Sequence, residues 1–464
     1  MQIKDKNIVV IGLSRSGFAA AKLAKQKQAN VYVTEIINNK QTQQKARRLR
    51  TKGIFVELGV HSLPVLKKAD FLITSPGVKN SALPIAWAKK HKKNIFSEIE
   101  FASWFCPVPI IAITGSNGKT TVTTLIGKIL KQAGKKIAVC GNIGNPFSDV
   151  IQKLKNKDFV VLEVSSFQLQ YIQFFKPFIS IILNITQNHF DYHHSLQEYM
   201  QAKAKILLNQ DGNDYAIFNY NDKRVRQLAD ETKARIIFFS SQNGKKNKVM
   251  QKSYASCWVE NNEIKGYWDK KPFKFFRKDK IGLAGDHNLE NIMACVLASC
   301  ALKIYAYLYK KTILKFRGVE HRTEFVGADK KKSIIFINDS KSTTVDATIK
   351  ALAMFNPQSV ILISGGRDKG SNFRPLKRVL KEKVSFLVLI GEAQHKINSI
   401  LNTAVKGKVK LARTLKEAVT FAYRKAQPGT KILFSPMCSS FDMFNNFEHR
   451  GDVFKSIVRE IVKK

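Results

Sequence analysis

Apolar and polar positions along the chain fall into three successive blocks, each alternating short β-type runs with helical stretches. In the first block, continuous apolar runs at Asn7–Ile11, Val31–Thr34 and Phe71–Thr74 predict strands, and Phe18–Lys27 and Pro84–Lys92 predict helices. Such alternation favours a parallel sheet covered by helices on its faces. Pro107 and Pro109 interrupt the pattern before a new strand at Ile110–Thr114, which sets a boundary near residue 106. The second block continues through strands at Ile137–Cys140, Phe159–Glu163, Ile179–Asn184 and Tyr215–Asn219. A polar stretch, Gln242–Lys252, then leads to strand-like pieces near Trp258 and Tyr267, and a helix from about His287 to Lys303 closes the block. The third block has strands at Ile334–Asn338, Val360–Ser364, Phe386–Ile390 and Lys431–Phe434 with helices such as Leu415–Lys425 between them, a doubly wound pattern. The expected fold class is α/β in three domains. The expected bounds are residues 1–105 for a Rossmann-like domain, 106–314 for a central domain with a mixed sheet, and 315–464 for a second Rossmann-like, doubly wound domain.

The length of 464 residues agrees with several cores, and 44% hydrophobic residues is the content of a folded chain. The first apolar run is too short for a signal peptide and reads as a strand, and no run approaches the length of a membrane span. Six cysteines without a CxxC pair or a histidine at metal spacing read as reduced thiols of a cytoplasmic protein. The net charge of +43 changes the picture most. It suits an anionic partner, including nucleic acid, or else a lysine-rich composition on solvated faces. The lysines are spread along the whole chain and no basic stretch is interleaved with aromatics, so the second reading is preferred and no nucleic-acid partner is expected.

Four local patterns carry chemistry. The first is Ile111-Ala-Ile-Thr-Gly-Ser-Asn-Gly-Lys-Thr-Thr121, an apolar strand, a glycine-containing loop and a helix start. Gly115 and Gly118 let the loop turn its amides inward around phosphate oxygens, and the helix N-terminus adds partial positive charge. Lys119 can reach the β- and γ-phosphates and Thr120 can ligate Mg²⁺. Ile113 stands where the strict Walker pattern has glycine, so the loop is a shortened variant, and the 106–314 domain is expected to be a P-loop-type ATPase. The second is Gly12-Leu-Ser-Arg-Ser-Gly17, with Glu35 about 20 residues on. It resembles a dinucleotide fingerprint, but Ser14 replaces the middle glycine, which leaves room for another diphosphate such as UDP or for a plain strand–helix turn. The third is Glu163, at the end of the apolar strand Phe159–Glu163. A carboxylate there either needs a partner, for which Mg²⁺ would serve, or sits at an exposed strand end. The fourth is Asn184-Ile-Thr-Gln-Asn-His-Phe-Asp-Tyr-His193, followed by a helix that carries Lys203; His189 in it is either a ligand or a structural histidine.

TGSNGKTT at Thr114–Thr121, LEVSSFQL around Glu163, the Asn184–His193 run with Ala202-Lys203 downstream, and GDHNLEN at Gly285–Asn291 together resemble the Mur ligase family over essentially the whole chain. The Gly12–Gly17 turn and the run Leu433–Gly451 are similar to its D-glutamate-adding branch. The resemblance implies an ATP-dependent amide ligase of peptidoglycan precursor synthesis, and hence of cell-wall growth and division, that joins D-glutamate to UDP-N-acetylmuramoyl-L-alanine. It implies that Thr114, Gly115, Ser116, Asn117, Gly118, Lys119, Thr120 and Thr121 cradle ATP. Asn288 and Asn291 would lie on its adenine side, and Arg322 and Asp339 would come from the third domain. Ser14, Arg15, Glu35, Asn142 and His189 would bind the UDP substrate, although the family often has Asp at the position of Glu35. Thr120 and Glu163 would hold one Mg²⁺, and His189 with Lys203, as a carbamate, a second. Thr343, Lys369, Ser440 and Phe447 would form the D-glutamate pocket; Arg367 stands where some relatives carry an acid. Lys119, Glu163, His189 and Lys203 are the expected catalytic residues of a monomer closing about hinges. Rival readings are a sister ligase, a folylpolyglutamate-type synthetase, a basic nucleic-acid-binding NTPase, and a dinucleotide-binding regulator.

Overall fold

In a computed structural model the described residues are 2–186, 195–243, 248–283, 285–368 and 370–462. They form three sheets in two compact units, Met1–Phe316 and Arg317–Lys464.

The first unit opens with β1 (Asn7–Ile11), β2 (Asn30–Glu35), β3 (Phe55–Leu58), β4 (Phe71–Thr74) and β5 (Asn94–Ser97), in the order β3-β2-β1-β4-β5. All four pairings are parallel. Strands buried on both faces read as unbroken apolar runs, as in β1 (NIVVI) and β4 (FLIT). The turn Gly12–Gly17 leaves β1, the central strand, where the order of connections reverses; this is the place at which open α/β sheets bind ligands.

Nine further strands of this unit are β6 (Ile110–Thr114), β7 (Ile137–Gly141), β8 (Phe159–Glu163), β9 (Ile179–Ile182), β10 (Tyr215–Asn219), β11 (Arg235–Ser240), β12 (Ala255–Glu260), β13 (Glu263–Trp268) and β14 (Lys271–Arg277). Their order is β14-β13-β12-β11-β10-β9-β6-β8-β7, parallel from β7 to β12 and antiparallel beyond. The sheet is mixed, as expected. Strand β6 is fully buried between β8 and β9, and the phosphate loop leaves its C-terminal end. The helix Lys119–Gln132 follows, burying Val122, Leu125, Ile126, Ile129 and Leu130 at i, i+3, i+4 spacing.

The short helix Glu98–Ser103 joins the two sheets of this unit. Ser97 caps it, accepting from Glu100 N at 3.2 Å. Glu98 Oε1 accepts from Ser148 N at 2.6 Å. Glu100 accepts from the amides of Gln173, Phe174 and Phe175 at 3.1, 2.9 and 2.9 Å, and from Trp104 Nε1 at 2.8 Å. One apolar core, including Phe96, Phe101, Phe147 and Phe175, is continuous across the junction.

The second unit contains β15 (Glu324–Asp329), β16 (Ile334–Asn338), β17 (Val360–Gly365), β18 (Val384–Ile390), β19 (Val409–Leu411) and β20 (Lys431–Phe434), in the order β15-β16-β20-β17-β18-β19. Only the edge strand β15 is antiparallel. Separate apolar clusters cover its two faces. The six cysteines are free, and four are buried.

Candidate active site

Gly115 has φ 150° and Gly118 φ 84°, the latter immediately before the helix Lys119–Gln132. Asn184, after β9, braces the loop: its Oδ1 accepts from Asn117 N at 2.8 Å, and its backbone oxygen accepts from Ser116 N at 2.9 Å. Ser116 Oγ accepts from Thr186 N at 2.9 Å and lies 3.0 Å from Tyr199 Oη. Neither Asn184 nor Tyr199 was assigned a role from sequence, since both act on residues far away in the chain.

Lys119 folds over the loop, its Nζ donating to Gly115 O at 2.8 Å and Ser116 O at 3.0 Å. Lys203, on the helix Leu196–Ala204, is 1% exposed and donates to Gly115 O at 3.0 Å and Thr114 Oγ1 at 3.3 Å. Its amine lies 4.6 Å from the centre of the Tyr199 ring. Burial, then the charge of Lys119, pulls its pKa far below the usual lysine range, which favours the neutral amine. A neutral amine is the form that reacts with CO₂.

Glu163 ends β8 beside Ile113 of β6 and is 1% exposed. Its Oε1 accepts from Asn142 Nδ2 at 2.8 Å, while Oε2 is buried with no hydrogen-bond partner among the described residues. An orphaned buried carboxylate oxygen beside a phosphate loop fits a cation. Thr120 is buried in the first helical turn. The Mg²⁺ expected from sequence therefore meets a suitable donor set on this unit. Gly141 lets Asn142 approach: its φ is 102°, and a Cβ there would stand 2.4 Å from Glu163 O.

Asn291 reaches the loop from the helix Asp286–Ala301; a Cβ on Gly118 would stand 2.2 Å from its Oδ1. Asn288 lies one turn earlier, half-buried. Between them Glu290 accepts from Asn219 Nδ2, Asn221 Nδ2 and Ser241 Oγ at 2.9, 2.8 and 2.9 Å, which ties the helix start to the ends of β10 and β11. Sequence reading passed over Glu290.

At the Gly12–Gly17 turn the structure shows Glu35 bonded to the backbone on either side of it. Its two oxygens accept from Leu13 N at 2.6 Å and Ile37 N at 2.9 Å, so the carboxylate shapes the turn. Arg15 reaches the carbonyl of Gly144, and Lys45 donates to Leu13 O at 3.1 Å. Ser14 precedes the helix Arg15–Gln26 without capping it through its side chain.

On the second unit, Asp339 lies beyond the end of β16. Its Oδ2 accepts from Ser435 Oγ at 2.7 Å and its Oδ1 from Thr323 N at 3.1 Å. Burial raises its pKa, against the hydrogen bonds of Ser342, Ser435 and Thr323 and the charge of Arg322. Arg322 is exposed and flanked by His321 and Thr323 at φ 61° and 40°, a strained corner that presents the guanidinium. Met437 N donates to Ser342 O at 2.8 Å and Ser340 Oγ to Phe447 O at 2.8 Å, so the segments bearing Thr343, Ser440 and Phe447 are laced together. His189 and Lys369 lie outside the described residues.

Family models match three consecutive stretches: the Mur ligase MurD-like N-terminal domain at residues 6–97, the Mur ligase middle domain at 113–299, and the Mur ligase glutamate ligase domain at 321–438. The chain is 39% identical to the UDP-N-acetylmuramoylalanine--D-glutamate ligase of Caldicellulosiruptor bescii, covering 100% of this chain and 99% of that protein. It is 37% identical to the ligase of the same name from Citrifermentans bemidjiense, over 99% and 98% of the two chains. Among solved structures, a pseudomurein peptide ligase type C from Methanothermus fervidus shares the fold, with a TM-score of 0.52 at 19% identity over 98% of this chain and 100% of that one.

Proposed function

Because the chain belongs to the Mur ligase family, we propose that it joins D-glutamate to UDP-N-acetylmuramoyl-L-alanine at the expense of ATP. The observation that carries the chemistry is the phosphate loop set against Glu163, whose second oxygen is buried with no hydrogen-bond partner among the described residues. The choice of substrates is supported by the names of relatives that match the whole chain. Such a protein supplies peptidoglycan precursors, and with them cell shape and division. We place it in the cytoplasm as a monomer; no helix among the described residues is long and apolar enough to cross a membrane.

A carboxylate is a poor electrophile, so the alanine carboxylate first attacks the γ-phosphorus of ATP and ADP departs, leaving an acyl phosphate. The amine of D-glutamate then adds to the acyl carbon, and the tetrahedral intermediate expels phosphate. Both steps depend on positioning and on neutralising charge. The loop amides and Lys119 hold the β- and γ-phosphates, and Asn291 and Asn288 hold the base side. Thr120 and Glu163 would hold one Mg²⁺, and Lys203 and His189 a second. Bound there, the ions neutralise charge that builds on the phosphoryl oxygens. For that role Lys203 must become an anion: its neutral amine adds to CO₂ and releases a proton, giving a carbamate. Asn142, fixed by Glu163, and the Gly12–Gly17 turn with Ser14, Arg15 and Glu35 hold the UDP substrate, Glu35 also shaping the turn. Arg322 and Asp339 complete the nucleotide contacts, while Thr343, Lys369, Ser440 and Phe447 take D-glutamate.

The test is phosphate release from ATP and UDP-N-acetylmuramoyl-L-alanine with single amino acids added. Release should depend on D-glutamate. Release that responds to L-lysine or diaminopimelate, and not to D-glutamate, overturns the reading in favour of a sister ligase.

A further inference from the structure

One buried side chain at the mouth of the C-terminal sheet has no part in the site as described so far. Arg450, in the helix Phe447–Val462, is 1% exposed. Its Nε donates to Ser340 Oγ at 3.0 Å, its Nη2 to Ser340 O at 2.8 Å and its Nη1 to Cys438 O at 3.1 Å. Ser340 Oγ passes the connection on to Phe447 O at 2.8 Å. Gly366 packs against the same guanidinium: a Cβ there would stand 3.3 Å from Arg450 Nη1. Its neighbour Arg367 exchanges backbone hydrogen bonds with Ser439 at 3.0 and 3.1 Å. The guanidinium thus meets the segments that follow β16, β17 and β20, and the start of the last helix. Thr343, Lys369, Ser440 and Phe447 are each carried by one of those four segments.

Packing does not explain an arginine here. A leucine or methionine would fill the space without desolvating a charge, and burial lowers this guanidinium to about 10. It still carries its proton at neutral pH. The bonded partners are all neutral oxygens, two carbonyls and a hydroxyl, while Asp442 supports the charge through space. What a guanidinium adds is a planar fork whose donors point in fixed directions, so that loops bonded to it are held at a fixed separation.

We propose that Arg450 is the positioning residue of the amino-acid pocket, setting the spacing of the Ser340–Thr343, Gly366 and Cys438–Ser440 segments to one length of dicarboxylic amino acid. The inference rests on D-glutamate being the acceptor, and it deepens that reading by naming what gauges the acceptor.

The experiment uses the full chain as wild type, Arg450→Lys and Ser340→Ala. Phosphate release is followed against D-glutamate and the shorter D-aspartate. The first half-reaction is followed separately, with ATP, UDP-N-acetylmuramoyl-L-alanine and hydroxylamine, which traps the acyl phosphate as a hydroxamate. Arg450→Lys keeps the charge and loses the fork. It should raise the KM for D-glutamate about tenfold or more and lower the preference for D-glutamate over D-aspartate by a similar factor, with hydroxamate formation nearly unchanged. Ser340→Ala removes the hydroxyl between Arg450 and Phe447; it should shift KM and preference in the same direction by a smaller factor, and it carries the test if Arg450→Lys does not fold. Unchanged KM and preference in a folded variant overturn the proposal. So does a parallel fall of both half-reactions, which would mark Arg450 as a general support of the unit. Wild-type enzyme that ignores D-glutamate would overturn the acceptor reading instead.

Discussion

Lys119 and Lys203 aim their amines at one carbonyl oxygen, that of Gly115, at 2.8 and 3.0 Å. They reach it from different helices, and the charge of Lys119 adds to burial in keeping Lys203 neutral. One cation and one neutral amine converge on the loop, and their roles differ. Lys119→Ala should lower ligation on the order of 10²–10³-fold and leave binding of the UDP substrate intact by calorimetry. Lys203→Ala should be as inactive, yet regain part of its turnover when formate or acetate is added to replace the missing anion. Absence of rescue together with an unmodified, active wild-type Lys203 by mass spectrometry would sink the carbamate role.

Glu163 should trade stability for function. Glu163→Gln keeps an acceptor for Asn142 and removes the negative charge of a buried carboxylate, one oxygen of which has no partner among the described residues. Its melting temperature is expected to equal or exceed that of wild type. Ligation should fall about 10²-fold or more, and Mg²⁺-dependent ATP affinity should weaken in calorimetry. A clear drop in stability would show that the carboxylate is structural.

Gly118 tests the link between the loop and Asn291. In Gly118→Ala the new Cβ meets Asn291 Oδ1 and Leu183 Cδ1 at a φ of 84°. The strained backbone should cost about 1–2 kcal/mol, and displacement of Asn291 should raise the KM for ATP about tenfold. Gly134→Ala, at the other end of the same helix with φ 74° and open space around it, should share the backbone cost and leave the KM for ATP alone. Equal effects on ATP from the two variants would deny Asn291 its part.

Glu98 gives a pH dependence. Burial raises its carboxyl from 4.5 to about 7. At pH 4.5 and below, the folded protein is favoured by holding the proton. As pH rises through 7 the folded chain must carry a buried anion, and stability on the order of 3 kcal/mol is lost. Glu98→Gln should match wild type in urea unfolding near pH 4.5 and exceed it at pH 8. A variant that is weaker at pH 8 would show that the bond from Ser148 N needs the charge.

Fold and site were legible where the signal is local. Strand β6, its glycine loop and the helix after it form one continuous run of residues, and the apolar cores of β1, β8 and β17 are unbroken. Edge elements were missed because they are short or half exposed: β3 with its exposed Phe55, β19 with three half-buried residues, and β15. The helix Lys40–Arg50 buries only Thr42, Ala46 and Leu49, and so carries little apolar pattern. Helix ends moved by a residue or two, as for Asp286–Ala301. Among site residues, nothing in sequence shows that two backbone amides donate to Glu35. Arg450 was invisible for the same kind of reason: its partner Ser340 is 110 positions away. Tertiary hydrogen bonds leave no periodicity to read.

The carboxylates of Glu98 and Glu100 fasten the first sheet to the second through backbone amides at Ser148 and at Gln173–Phe175. Those bonds tie the sheet that carries the Gly12–Gly17 turn to the sheet that carries the phosphate loop within one compact unit. If the proposed substrate is anchored at the turn, it would be measured like a key against a stop, and a sugar-linked acid too short or too long would present its carboxylate to empty space beside the phosphate.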